Sequence, residues 1–344
     1  MMELNYKERH RINKEIIKIS LEEFVNCNFE YYKNELTQNI GDIYKKSGGT
    51  SPGIEFQYAL QRSLAAIIER KNKQEILEYL HYAKDLGSLT LLTGKFDSDE
   101  DGLRAKFRDG EFEMEGLKDS GFVTNCDVRT WQKTLYLAVI LKDFDLIYWL
   151  CECISNEELM FFDPNNSFYK SDYIVKDFLS EWYKTIRNES KFELDKRITN
   201  ALKSSISKID TIGESGNIAL ENNTIEAYDE LFIDKSNYAR LIKYNEIRLY
   251  IHITISQEHD TQFQDNLKDS LIMFKDYYNG HEYNKSIDLI SDSWFALPYI
   301  AACCTAVRER EFSDKNNPLI IETTSDYLPH WLIYGDFEDN NNWK

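Results

Sequence analysis

The sequence predicts a mainly α-helical protein, an irregular multi-helix globule of packed helical hairpins with one small β-hairpin. Along most of the 344 residues, apolar side chains recur at three- and four-residue steps, the spacing of one helix face. The alternation of apolar and polar residues that is typical of a strand is clearest at residues 103–115. Aromatic residues make up 14% of the chain and are spread along it, which indicates a chain that folds throughout.

The N-terminal part, residues 1–95, is predicted to be helical. The apolar pattern over residues 13–46 indicates a helix with one break, and the Gly- and Pro-containing stretch at 47–53 ends it. Two antiparallel helices are then predicted at 54–69 and 74–93, on either side of a polar break.

An acidic loop and the predicted hairpin follow these helices. Strand-like alternation flanks Asp109-Gly110, a favoured two-residue turn, so residues 103–115 are predicted to form a β-hairpin. The preceding loop superficially resembles a calcium loop, but Arg108 stands where the closing glutamate would be required, so calcium is not expected.

Residues 127–334 are predicted to hold the central and C-terminal helices. Two apolar core helices should meet at Asp143, and further helical patterns cover residues 172–187, 192–209, 217–232, 236–255 and 260–278. We expect a single all-helical domain over residues 1–334, followed by an acidic, flexible tail over residues 335–344.

The stretch 291–334 carries the strongest fold information. Its first half predicts a buried helix, because small side chains allow another backbone to approach closely. The start should be capped by Asp292 or Ser293, with Pro298 in the first turn. The β-branched run at residues 319–321 predicts a short extended piece, and a turn ending at Pro329 follows.

The order of residues in this stretch resembles the C-terminal signature of the immunity protein 49 family. Residues 130–151 resemble the family's central segment, a tryptophan with an apolar helix, a charged break and a second helix. Residues 271–283 resemble the helix before the signature. The similarity covers residues 103–332 in patches, and its core residues are Trp131, Trp294, Leu297, Pro298, Tyr327, Leu328, Pro329 and Trp331.

This resemblance implies an antitoxin of a bacterial polymorphic-toxin system, which protects a cell from its own or its siblings' secreted toxin. The leading hypothesis is therefore stoichiometric neutralisation of a cognate toxin domain. One alternative is a non-catalytic helical scaffold or adaptor for another partner. A less favoured one is a hydrolase with an unrecognised site.

The sequence shows no pattern that predicts catalysis. Glu78 and His81 have the Glu-x-x-His spacing of di-iron bundles, but no second copy occurs. His-Glu-x-x-His and Cys-x-x-Cys motifs are absent from the sequence. We therefore predict a protein that is not an enzyme, with no catalytic residues, no cofactor and no metal.

The charge balance indicates the kind of partner. With 41 basic and 59 acidic residues the formal net charge is −18, which disfavours nucleic acid and anionic membranes as partners. Solubility alone explains an acidic surface, but such a surface also suits a basic toxin, and nucleases are often basic because they handle phosphates. Nothing in the sequence indicates an oligomeric state.

The location follows from the absence of apolar segments. The N-terminus has no apolar core of a signal peptide, and no stretch reaches the ~18 apolar residues of a membrane span. The six cysteines lie among apolar neighbours and are predicted to be reduced. These features predict a cytoplasmic protein.

Two acidic clusters are candidates for toxin binding, because they lie in predicted loops or near the C-terminus, where core packing does not require them. Their members are Asp97, Asp99, Glu100, Asp101, Glu322, Asp326, Asp336, Glu338 and Asp339. A solvated surface without a binding role is the simpler interpretation of each cluster. Aromatic side chains such as Tyr169 and Tyr173 are the alternative anchors.

Overall fold

The computed structural model describes residues 6–10, 12, 14–22, 52–93, 97–99, 102–107, 110–114, 126–159, 170–184, 201, 238–253, 260–280, 291–339 and 343. This part of the chain is mainly α-helical, as predicted. The chain divides into two compact units. Unit 1 comprises Met1–His10, Asp163–Asp336 and Lys344, and unit 2 comprises Arg11–Phe162 and Phe337–Trp343. The single domain predicted over residues 1–334 spans both units.

Unit 2 is built on five described helices: α1 (Lys14–Glu22), α2 (Pro52–Ile68), α3 (Lys73–Thr93), α4 (Val128–Ile140) and α5 (Phe144–Cys153). Each packs against the next in this order. The helices predicted at 54–69 and 74–93 are confirmed, whereas residues 13 and 23–46 of the first predicted helix lie outside the described part. At Gly87 of α3 an added Cβ would lie 2.2 Å from Thr134 Oγ1 of α4, so the absent side chain permits this close packing.

The junction between α4 and α5 shows how the sequence ends one helix and starts another. Lys142 has a left-handed backbone with φ of 59°. The Asp143 N–H donates to the Ala138 carbonyl oxygen (2.9 Å) and the Lys142 N–H to that of Val139 (3.2 Å), the pattern of a Schellman ending. The Asp143 carboxylate then accepts the Leu146 N–H (3.1 Å) and caps α5.

Three short strands also belong to unit 2: β1 (Asp97–Asp99), β2 (Gly102–Phe107) and β3 (Gly110–Met114). Neighbouring strands pair antiparallel in the order β1-β2-β3, and β2 and β3 pair from Leu103 opposite Met114 to Phe107 opposite Gly110. Asp97 and Asp99, predicted in a loop, pair with β2. Residues 108, 109 and 115 lie outside the described part, so the hairpin predicted over 103–115 stays a prediction.

Unit 1 contains five described helices: α6 (Lys170–Tyr183), α7 (Tyr238–Ile251), α8 (Asp260–Gly280), α9 (Leu297–Ser313) and α10 (His330–Tyr334). Helix α7 packs against α6, α8 and α9, and α9 also packs against α10. The helices predicted at 192–209 and 217–232 lie outside the described residues, apart from the single helical residue 201.

A chain of buried hydroxyl groups links three helices of unit 1. The Tyr183 hydroxyl of α6 lies 2.6 Å from the Tyr250 hydroxyl of α7 and 2.6 Å from Thr305 Oγ1 of α9. Thr305 in turn donates to the Ala301 carbonyl oxygen (2.9 Å). Because buried hydroxyl groups without partners are costly, these hydrogen bonds favour one arrangement of the three helices.

The predicted start of α9 is wrong by several residues. Ser291–Ser293 form a separate 3-10 turn, and α9 begins at Leu297 after Ala296, with Pro298 in the first turn as expected. Neither Asp292 nor Ser293 caps this helix. The physical reason is the intervening tryptophan and phenylalanine, which are buried in the core and hold the chain out of a helical path.

Candidate interaction site

The residues that carry the family resemblance form a packing framework in unit 1. The Ala296 N–H donates to the Tyr327 carbonyl oxygen (3.3 Å), which joins the two halves of the signature. The Phe274 ring of α8 lies 5.3 Å from the Tyr327 ring and 5.8 Å from the Tyr299 ring, both edge to face. Six of the signature side chains in this unit are buried: Trp294, Leu297, Tyr327, Leu328, Pro329 and Trp331.

Pro298 is half-buried, and the remaining signature residue belongs to unit 2. Trp131 is fully buried in α4, where its indole Nε1–H donates to the Leu150 carbonyl oxygen of α5 (2.9 Å). This bond holds together the two helices on either side of the charged break. The signature residues thus act in packing, and a solvent-exposed reactive group is not among them.

The signature turn binds the N-terminal segment, which we define as residues 6–10. The Asp326 N–H donates to the Lys7 carbonyl oxygen (2.9 Å). Ser325 Oγ donates to the Tyr6 carbonyl oxygen (2.7 Å). These bonds join parts of the chain more than 300 residues apart, and no sequence pattern predicts them.

Arg9 of the N-terminal segment is bound through both its side chain and its backbone. Its guanidinium lies 4.1 Å above the Phe295 ring and donates to the Asp326 carbonyl oxygen, while its backbone N–H donates to Asp326 Oδ2 (3.1 Å). Burial lowers the pKa of Arg9 to about 10, against an opposing contribution from Asp326, so the side chain stays charged at neutral pH. Lys275 Nζ of α8 donates to the carbonyl oxygen of Glu8, the residue before Arg9 (2.6 Å).

His10 completes this contact with both ring nitrogens. The Tyr327 hydroxyl accepts the His10 backbone N–H (3.0 Å) and lies 2.9 Å from Nδ1, and Ser293 Oγ lies 3.2 Å from Nε2. Burial, with the positive charges of Arg9 and Lys275, lowers the pKa of His10 to about 4. His10 is therefore neutral at pH 7 and acts as a structural link.

Residues 319–324, which we call the alternating segment, run between α9 and α10. Leu319, Ile321 and Thr323 are buried, whereas Ile320 and Glu322, with Thr324, are exposed. This two-residue period is that of an extended chain, in line with the predicted extended piece at 319–321. The structure assigns no strand here.

Side chains of α8 and α10 hold the backbone of the alternating segment. Gln264 Nε2 donates to the Ile320 carbonyl oxygen (2.8 Å), and Gln264 Oε1 accepts the Glu322 N–H (3.2 Å). On the other side the Tyr334 hydroxyl accepts the Ile321 N–H (2.7 Å). His330 Nε2 adds a bond to the carbonyl oxygen of residue 323 (3.0 Å). The segment is thus fixed along both edges.

The predicted toxin-binding carboxylates belong to different units. Asp97 and Asp99 lie in β1, and Glu100 and Asp101 lie outside the described residues. In unit 1, Glu322 and Asp326 are exposed and Asp336 is half-buried; Glu338 and Asp339 are exposed residues of unit 2. Asp326 already binds the N-terminal segment. The predicted C-terminal cluster therefore contains residues with different roles.

The predicted aromatic anchors also differ in position. Tyr169 lies outside the described residues. Tyr173 is buried in α6 with 7% of its surface exposed, so it belongs to the core of unit 1.

Phe337 and Trp343 of the predicted tail belong to unit 2 and contact residues of its helix α3. Gln74 Nε2 donates to the Phe337 carbonyl oxygen (3.1 Å), and Lys73 Nζ lies 5.7 Å from the Trp343 ring centre. Lys73 itself is fully buried, so the aromatic ring lies near a cation that is shielded from solvent.

Two buried cations, one in each unit, have carboxylate partners. Arg310 of α9, 1% exposed, binds Asp260 at the start of α8, with Nη1 to Oδ2 at 3.0 Å. In unit 2, Lys84 lies 2.6 Å from Asp143. These pairs tie helices together, because leaving either charge buried without its partner is costly.

Several general features of the described residues complete the description. They contain no group of three or more His, Cys, Asp and Glu side chains that could hold a metal ion. The described cysteines are free thiols: Cys126, Cys151, Cys153, Cys303 and Cys304. None of the described helices combines the length and apolar character needed to cross a membrane.

No protein-family model, no curated protein and no solved structure matches this chain. The resemblance described above depends on the order and spacing of individual residues.

Proposed function

We propose that this chain is a cytoplasmic immunity protein that binds a cognate secreted toxin domain and neutralises it by stoichiometric complex formation. It performs no chemistry of its own. The complex blocks the active site of the toxin or the access of its substrate.

The observation that supports this proposal best is the role of the signature residues in packing. Trp294, Tyr327 and Trp331 are buried, and the Tyr327 hydroxyl binds His10 of the N-terminal segment. A framework of this kind presents a preformed surface, and preorganisation lowers the entropy lost when a partner binds. This arrangement suits an inhibitor that binds as a rigid body.

The charge of the chain supports a basic toxin. A net charge of −18 attracts a cationic partner and accelerates its encounter with the inhibitor. Nucleases are a class of toxin with this property, because they bind phosphate backbones. We therefore propose a nuclease domain as the target.

Co-expression tests the proposal. The toxin domain encoded beside this chain is induced in a sensitive bacterial host, with and without this chain in the cytoplasm. We expect growth to be rescued, and purified toxin to be inhibited with a sharp end point at a fixed molar ratio. Absence of rescue by soluble protein with a helical circular dichroism spectrum would overturn the proposal.

Two other results would favour the alternative functions. Protection at amounts far below the toxin concentration indicates turnover, and hence a hydrolase rather than a stoichiometric inhibitor. Lack of any complex with the toxin, together with specific capture of an unrelated protein, indicates an adaptor. Either result contradicts the proposed mechanism.

A further inference from the structure

We propose that the toxin is bound on unit 1 by a surface formed by Ile320, Glu322, Tyr334 and Asp265, which we call the Ile320 surface. The partner that fits it is the basic face of a protein, with an apolar contact at its centre and Lys or Arg side chains around it. This inference rests on the proposed function and adds the location of the interface.

The apolar centre of the surface is unusually exposed. Ile320 is 65% exposed, the highest value among the exposed large apolar side chains of the described residues, and the ring of Tyr334 beside it is 40% exposed. Single exposed apolar residues are common on protein surfaces. Here, however, the backbone that carries Ile320 is fixed, so little conformational entropy is lost on binding.

The backbone of the alternating segment is protected on both edges. The Gln264 amide bonds to the Ile320 carbonyl and the Glu322 N–H in the way that a residue of a neighbouring strand would. Tyr334 and His330 cover the opposite edge. Covered edges resist pairing with a foreign strand, so a partner meets the outward side chains of the segment and not its backbone.

Unneutralised carboxylates define the charge of the surface. Glu322 and Asp265 are exposed, and neither has a cationic partner among the described residues. Asp265 directly follows Gln264, whose side chain holds the Glu322 backbone. By contrast, Asp260 on the same helix is paired with Arg310. The free carboxylates at the edge of the apolar centre therefore favour a basic partner.

The test measures binding of the purified, catalytically inactivated toxin domain encoded beside this chain, with association and dissociation rates recorded separately. Ile320→Ser should weaken affinity about tenfold, mainly through faster dissociation, because it removes a central apolar contact. Glu322→Lys should slow association about tenfold at low salt, because it reverses a steering charge.

Two matched controls separate a local interface from a general effect. Phe144→Ser removes an apolar side chain that is 40% exposed in unit 2, and Glu338→Lys makes the same charge change there. Both should bind as the wild type does. Wild-type affinity in the Ile320→Ser and Glu322→Lys variants would overturn this inference while the proposed function stands. Failure of the wild-type chain to bind the toxin would overturn both.

Discussion

Asp326 and Glu322 are exposed carboxylates four residues apart, and the sequence presents both as candidates for toxin binding. Their surroundings differ. Asp326 accepts the Arg9 N–H, and its own N–H and carbonyl oxygen bind the N-terminal segment. Glu322 is held through its backbone alone, and its carboxylate has no cationic partner in the described part of the chain. Exposure and charge therefore do not distinguish a structural carboxylate from one available to a partner.

This difference predicts different effects of the same substitution. Asp326→Lys should lower the free energy of unfolding by about 1–2 kcal/mol, because it removes a bond to Arg9 and places two cations together. Glu322→Lys should change it by less than about 0.5 kcal/mol, as expected for an exposed side chain without a partner. Urea unfolding of both variants measures this. Equal stability of the two would show that the Asp326 contacts add nothing.

The pKa of His10 predicts a pH dependence of stability. Its value of about 4 in the folded protein lies below the ordinary 6.5, so between these pH values the unfolded chain binds a proton that the folded protein does not. The contribution of His10 to the free energy of unfolding is thus fully present above pH 6.5 and falls as pH decreases to about 4. The expected loss is about 1–2 kcal/mol, less than the full linkage value, because solvent screens the half-buried ring.

The variant His10→Asn isolates this contribution, since its amide oxygen can still accept a hydrogen bond at the position of Nδ1. Unfolding free energies of the wild type and the variant, measured from pH 7.5 to pH 4, should converge as pH falls. Tyr327 provides the hydroxyl partner in both proteins. Parallel curves over this range would contradict the assigned direction of the pKa shift.

At the scale of the element, the α4–α5 junction predicts a stabilising substitution. Lys142 adopts a φ of 59° that glycine accepts without strain, and its side chain is exposed. Lys142→Gly should raise the free energy of unfolding by about 0.5–1 kcal/mol, after allowance for the larger entropy of glycine in the unfolded chain.

Lys142→Ala is the matched control, because it removes the lysine side chain but keeps the Cβ that opposes this conformation. It should give no increase in stability. Denaturant unfolding measures the free energy of unfolding of both variants, and its dependence on denaturant concentration should stay unchanged. A gain from alanine equal to that from glycine would show that the effect comes from the side chain and not from the backbone.

The elements also show which parts of this fold a single sequence can predict. Helices α2 and α3 begin and end within two residues of their predicted bounds, because apolar periodicity and flanking polar breaks define them locally. The start of α9 was missed, since the burial of residues 294 and 295 is a tertiary effect. The bond from Gln264 to Glu322 joins residues 58 positions apart, and local pattern contains no signal for it.

For the whole molecule, the acidic charge is a property that composition predicts directly, whereas its distribution requires the structure. The N-terminal segment belongs to unit 1, and Phe337–Trp343 belongs to unit 2. Residues close in the predicted C-terminal acidic cluster thus belong to different units. A charge cluster in sequence therefore need not belong to one compact unit.

Because Glu322 belongs to unit 1 and Glu338 to unit 2, a pair of charge reversals can test electrostatic steering. The association rate constant with the toxin domain should fall at least tenfold between about 20 and 500 mM NaCl, because salt screens the attraction of a basic partner to a chain of charge −18. Glu322→Lys and Glu338→Lys each change the charge by +2, to −16, and so have equal net charge. Only Glu322→Lys should markedly reduce the salt dependence, since screening limits steering to charges near the interface. Equal slopes in the two variants would show that net charge alone governs the encounter, and a rate independent of salt would contradict a basic partner.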